Sequence, residues 1–110
     1  MAMTPEGRFQ KDVLRRLKSI PNCYFHKHQA GSIRGIADII GCLNGIMFAL
    51  ELKKDYASTQ AKTGRIVLQK HTLDKIEMAG GFARLSCPET IEQDLLDLVR
   101  FANIHKPIDA

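Results

Sequence analysis

The dipeptide Asn44-Gly45 constrains this chain more than any other feature. It separates two apolar runs within Ala37 to Lys54 (ADIIGCLNGIMFALELKK). Asn-Gly is the strongest short signal for a two-residue type I′ turn, because both central positions need φ > 0. A two-residue loop fixes the register of the hairpin: Leu43 faces Ile46, Ile40 faces Ala49, Ile39 faces Leu50, and Asp38 faces Glu51. With the pair flanking the turn hydrogen-bonded, Asp38 and Glu51 form a non-hydrogen-bonded pair, their Cα atoms roughly 4.5 Å apart. Like charges so placed destabilise a sheet unless something positive lies between them. Lys53 is two residues past Glu51, so its side chain emerges on the same face. An Asp, a Glu and a Lys converging at one end of a hairpin suit phosphodiester cleavage: the carboxylates hold a divalent metal, and the lysine handles the attacking water or the phosphate charge. The plain alternative is an exposed Glu-x-Lys strand edge, and the opposed acids weigh against it.

The 110 residues predict one domain, spanning 1–110, with a modest core. No apolar run approaches the roughly 20 residues of a membrane span, and MAMTPEGRFQ lacks the continuous apolar stretch of a signal peptide. Cys23, Cys42 and Cys87 are odd in number, widely spaced and without a C-x-x-C pair. They predict buried, reduced thiols in a cytoplasmic protein, not a zinc site or a disulfide framework. His26, His28, His71 and His105 have no ligand spacing, and the first two read as ordinary strand residues. The net charge of +4 is unevenly spread: residues 1–75 hold 13 Lys/Arg against 6 Asp/Glu, and residues 76–110 hold 3 against 6. A basic front and an acidic tail predict one face for a polyanion and one turned away from it.

In chain order, Thr4-Pro5-Glu6 reads as a helix start, and the helix runs to about Lys18, before Pro21. Its stripe is Phe9, Val13, Leu14 and Leu17. Glu6 falls on the stripe side; it either extends the metal site or complements the helix N-terminus. Asn22 to Gln29 predicts a first strand, followed by a glycine-bearing connection in which Arg34 either grips a phosphate or is solvated. In the hairpin, Ile39, Leu43, Ile46, Phe48, Leu50 and Leu52 point away from the acids, while Ile40, Cys42, Met47 and Ala49 share their face. Helices are therefore expected over both faces, with the charged cluster at the one open end.

Asp55 to Arg65 reads as a polar loop with at most a short helical turn, and Lys54, Lys62 and Arg65 make it a candidate DNA-contacting segment. A helix from about Ile66 to Ala79 ends at Gly80-Gly81. Gln69 lies inside its stripe of Ile66, Leu73 and Ile76 and needs a partner. That partner is Lys53, a water or a phosphate in one reading, and a backbone group or the solvent rim in the other. Phe82 to Ser86 is a short strand, and a last helix runs from Glu89 to about Asn103 with Ile91, Leu95, Leu98 and Val99 inward. Its acids, Glu89, Glu92, Asp94 and Asp97, read as a solvated face.

The order α-β-β-β-α-β-α, with Asp38, Glu51-Leu52-Lys53 and a following helix bearing Gln69, resembles the PD-(D/E)XK nuclease superfamily. Within it the chain is similar to the VRR-NUC family, the virus-type replication-repair nucleases, in its short stand-alone phage and bacterial form. The likeness is carried by Gly35-Ile36-Ala37-Asp38, Asn44-Gly45, Glu51-Leu52-Lys53, Gln69 and Gly80-Gly81, and spans Glu6 to Ser86. Ala37 departs from the superfamily's proline, which shapes the strand entry and does no chemistry. The resemblance implies an α/β, restriction-endonuclease-like core with a small mixed sheet flanked by helices. It also implies hydrolysis of DNA phosphodiesters dependent on Mg²⁺ or Mn²⁺. Asp38 and Glu51 would be metal ligands, helped by the backbone carbonyl of Leu52, and Lys53 would position or help deprotonate the water. Glu6 matches an acid supplied by the first helix, and Gln69 a polar residue on the helix after the lysine strand. Similarity to Holliday-junction resolvases implies a homodimer acting on branched DNA in replication, recombination or repair, in a bacterial cell or phage-infected host. Few base-reading side chains are present, so phosphate contacts should dominate affinity and DNA shape selectivity. The rival expectation is a non-catalytic DNA-binding accessory module on a nuclease scaffold.

Overall fold

Thr4 starts the first helix as its sequence predicts: Oγ1 accepts the Gly7 N–H at 3.0 Å, and Pro5 occupies a position where no N–H is needed. The computed structural model describes residues 3–28 and 37–108. Helix α1 (Pro5–Lys18) is followed by strands β1 (Cys23–Lys27), β2 (Ile39–Leu43) and β3 (Ile46–Leu52). The four-residue helix α2 (Tyr56–Thr59) and helix α3 (Gly64–Met78) lead to strand β4 (Phe82–Ser86) and helix α4 (Ile91–His105). This is an α/β fold, a four-stranded mixed sheet in the order β1-β2-β3-β4 with helices on both sides; apart from the short α2, the element order is α-β-β-β-α-β-α. β1, β2 and β3 pair antiparallel, and β4 joins β3 in parallel.

Asn44 (φ 52°) and Gly45 (φ 85°) both take positive φ, and the register follows: Leu43 opposes Ile46, Ile40 opposes Ala49, Ile39 opposes Leu50. Gly41 is required by packing. A Cβ there would lie 2.4 Å from the Tyr24 carbonyl oxygen and 2.7 Å from Cζ of Phe48. The larger core lies on the face away from the acids, where Phe9, Val13 and Leu17 of α1 and Ile91, Leu95, Leu98 and Ala102 of α4 meet Ile39, Leu43, Phe48, Leu50 and Leu52. On the acids' face α3 sets Leu73 and Ile76 against Ala37, Ala49 and Ala83, whose small side chains admit a close helix. α3 ends as Gly80 takes φ 97° and the Gly81 N–H returns to the Ile76 carbonyl at 3.0 Å. Among the described residues no helix is long and apolar enough to cross a membrane.

Three expectations need correcting. A helix about 10 Å wide covers two strands spaced about 4.8 Å apart, so α3 lies over β3 and β4 and leaves Tyr24, Cys42 and Met47 exposed. Cys42 is therefore an exposed thiol, Cys23 is half-buried, and Cys87 alone of the three is buried. The acids of α4 are not all solvated. Asp94 is buried, because Arg84 of β4 points under the helix and reaches Asp94 Oδ1 and Asp97 Oδ2, each at 3.1 Å. Finally, α3 starts at Gly64, not Ile66. Thr63 caps it, accepting the Ile66 N–H on Oγ1 at 3.4 Å.

Candidate metal centre

β3 runs past the end of its partner β2, and Asp38 stands at that step. Its carbonyl accepts the His28 N–H at 2.7 Å, and its carboxylate Oδ2 accepts the Leu52 N–H at 2.8 Å. The side chain thus takes a ladder position that a further β2 residue would fill. In a strand the N–H and C=O of one residue point to the same side, so the Leu52 carbonyl is turned toward Asp38 as well. On β4's side of the strand, the Lys53 N–H donates to the Ser86 carbonyl at 2.8 Å, which fixes the backbone that carries the lysine.

Glu51 extends the register by one pair and lies opposite Asp38, only 3 % exposed. Its Oε2 is buried without a hydrogen-bond partner, and so is Oε1 of Gln69, whose residue is 7 % exposed. α3 returns antiparallel to β3 with Leu73 against Ala49. Four residues toward the helix N-terminus is about 6 Å, and two residues up the strand is about 7 Å. By these rises Gln69 is expected on the Glu51 side of Leu73. The third buried orphan, Ser86 Oγ, pairs in register with Leu52 and faces the larger core instead.

Burial pushes the Glu51 carboxyl up to about 9, and the hydrogen bond and negative charge of Asp38 act in the same direction. The charges of Lys53 and Arg65 pull it back, which places both cations within electrostatic reach of the site. Lys53 is half-buried; Arg65, Lys54 and Lys62 are exposed.

The structure brings together Asp38, Glu51 and Leu52, with Lys53 and Arg65 in electrostatic reach of Glu51, while Gln69 is buried on α3. Glu6 is not among them. It is exposed in the first turn of α1, whose stripe packs on the opposite sheet face, and among the described residues no third Asp, Glu, His or Cys joins the pair. Arg34 lies outside the described residues. Sequence reasoning missed the Leu52 N–H as the anchor of Asp38 and missed the capped start of α3; Thr63, three residues before Ile66, was the available signal.

Two carboxylates and a backbone carbonyl make an all-oxygen donor set with one buried carboxylate oxygen, Glu51 Oε2, unsatisfied, which fits a hard cation such as Mg²⁺ or Mn²⁺. The cluster also lies at the carboxyl ends of the parallel pair β3 and β4, where open α/β sheets place ligands. Comparisons with protein-family models, with curated proteins and with solved structures found no match to this chain.

Proposed function

We propose that this chain is a deoxyribonuclease of the PD-(D/E)XK type, dependent on Mg²⁺ or Mn²⁺. The observation that carries the reading is Glu51: a buried carboxyl with an unpartnered oxygen, opposite a second carboxylate and two residues before a lysine. A buried carboxyl set against a second carboxylate with one oxygen unsatisfied is an arrangement that a bound cation would complete.

In this reading Asp38 and Glu51 hold the metal with the Leu52 carbonyl. A bound metal would lower the pKa of its water and neutralise charge developing on the phosphate. Asp38 is held in place by the Leu52 N–H and needs no rearrangement to ligate. Glu51 must first lose its proton, and the charges of Lys53 and Arg65 favour that loss. Lys53 orients the attacking water and opposes the charge building on the phosphate. Gln69 Oε1 accepts a hydrogen bond from a water in the site. Lys54, Lys62 and Arg65 draw the DNA backbone to this end of the sheet, so affinity falls steeply with salt. Branched DNA as the substrate, and a homodimer that acts on it, belong to the same reading through the resemblance to resolvases.

The test is cleavage of labelled four-way junction, flap and linear duplex DNA with Mg²⁺, Mn²⁺ or EDTA, beside the Lys53→Ala variant. Metal-dependent cleavage lost in Lys53→Ala supports the nuclease, and the ranking of substrates names its class. Tight binding without cleavage under either metal replaces it with the non-catalytic accessory module. A sequence-specific footprint on linear duplex would sink selectivity by shape.

A further inference from the structure

We infer that the uncovered half of the acids' face is a trough for one unpaired strand of DNA, held by Tyr24 stacking on a base and by cations on the flank of α3. The inference rests on the nuclease reading for what happens at the trough's end, and adds the path by which the strand arrives. The floor follows from register. Tyr24, Cys42 and Met47 form one row across β1, β2 and β3, and His26, Ile40 and Ala49 form the next. The third row is the candidate metal centre. There the His28 N–H reaches the Asp38 carbonyl at 2.7 Å, and the same register sets Asp38 opposite Glu51. The trough therefore runs from the hairpin turn to the acids.

The wall is α3. Arg65, Leu68, Thr72, Lys75 and Ala79 recur at helical spacing and share one stripe. Thr72, Lys75 and Ala79 line a cavity of about 410 Å³ together with Ile46 and Met47. Both charged residues of the stripe are cations, while Asp74 and Glu77 fall on other sides of the helix. Lys75 lies about 15 Å along the helix from Arg65, whose charge acts on Glu51. A run of phosphates along this wall thus meets a cation at each end. Tyr24 is 76 % exposed on the sheet. An aromatic bare to solvent beside a cationic groove is how proteins hold single strands without reading their sequence. The width also selects the occupant, since β1 and β2 together span about 10 Å, room for one backbone and its bases. A second copy of the chain fits less well. Two five-residue strands offer roughly 10 by 17 Å, far below the about 800 Å² that each partner gives a stable dimer.

The test uses fluorescein-labelled oligo(dT) and a duplex of the same length, read by anisotropy over a range of NaCl in EDTA, so that nothing is cleaved. Tyr24→Ala should weaken oligo(dT) binding about tenfold, and Tyr24→Phe, which keeps the ring, should bind within about twofold of wild type. Lys75→Gln should lower the salt slope by about 0.7. Duplex affinity should be the same in wild type and Tyr24→Ala. Wild-type affinity for oligo(dT) in Tyr24→Ala, or an equal loss in Tyr24→Phe, overturns the trough. So does a loss shared equally by the duplex.

A second readout leaves Tyr24 in place. The chain holds two tyrosines, Tyr24 and Tyr56, and no tryptophan, so Tyr24 is the sole emitter in Tyr56→Phe. Oligo(dT) should quench that emission in step with the anisotropy, and emission unchanged at saturation overturns the inference. A dimer that Tyr24→Ala dissociates in sedimentation gives the face to a second copy and overturns it too. The two levels separate cleanly. Metal-dependent cleavage with strand binding indifferent to Tyr24→Ala removes only the trough. Strand binding that needs Tyr24, without cleavage under either metal, keeps the trough and removes the catalysis. No binding at low salt removes both.

Discussion

Two clusters of partly buried charge sit on opposite faces of the same sheet, and they are resolved in opposite ways. Under α4, Asp94 receives Arg84 at 3.1 Å and the Thr90 hydroxyl at 2.8 Å, while Asp97 takes Arg84 at 3.1 Å and the Gln93 amide at 2.8 Å. Arg84 also lies 4.7 Å from the Phe82 ring centre. That cluster contains its own cation and its acceptors are satisfied. Under α3, Asp38 and Glu51 face each other, and Glu51 Oε2 and Gln69 Oε1 have no partner. The nearby cations act at a distance without closing a hydrogen bond to the buried carboxyl. A charge cluster that closes on itself is framework. One left open at the end of a sheet is a candidate for a ligand.

The comparison is most directly tested by pH. Glu51 titrates near 9 in the folded chain and near 4.5 when unfolded, so between these values the folded state binds more protons. Stability of the metal-free protein should therefore fall as pH rises through that window, by up to about 1.4 kcal/mol per unit. Glu51→Gln should flatten the profile and raise the melting temperature at pH 8. A wild-type profile that is flat from pH 5 to 8 would break the contrast at its open end.

The closed end breaks next. Arg84→Met leaves Asp94 buried without its cation and should cost about 2–3 kcal/mol in urea unfolding, with the Mg²⁺ response intact. A neutral Arg84→Met would mean that this cluster, too, is dispensable to the fold.

Adding Mg²⁺ sharpens the difference. At a hundred times its pH 8 dissociation constant it should stabilise the wild type by about 2.7 kcal/mol at that pH, and the same concentration should do less at pH 6, where Glu51 keeps its proton. Asp38→Asn should lose that stabilisation and Arg84→Met should keep it. Thermal melting at both pH values decides the matter; equal shifts in the two variants would erase the distinction. The smallest effect belongs to Glu6→Gln. An exposed residue in the first turn of α1 should change stability by no more than about 0.5 kcal/mol and leave the Mg²⁺ midpoint where it was.

The open cluster was more legible in the sequence than the closed one, and the reason is physical. Asn44-Gly45 is a local signal with one favoured turn, and once the turn is set, counting places Asp38 against Glu51. The period of α3 likewise put Gln69 on the sheet side without knowledge of its neighbours. Arg84 and Asp94 carry no such rule. Their pairing depends on β4 lying parallel to β3 and on α4 crossing that side of it, both set by the whole fold. Glu6 misled because helical spacing gives a direction about one axis and does not say which sheet face the helix will cover. The start of α3 was hidden by composition: Lys62, Thr63, Gly64 and Arg65 are polar or flexible, and only the cap at Thr63 marks the helix.

Asp38 holds the Leu52 N–H, and that gives the site a clock. The amide proton can exchange with solvent only in those moments when the carboxylate lets go, so its exchange rate counts how often Asp38 leaves its post. A slow Leu52 amide would describe a site built before any ligand arrives, and a fast one a site assembled on arrival. The same proton, followed as metal is added, would time the event from inside the sheet.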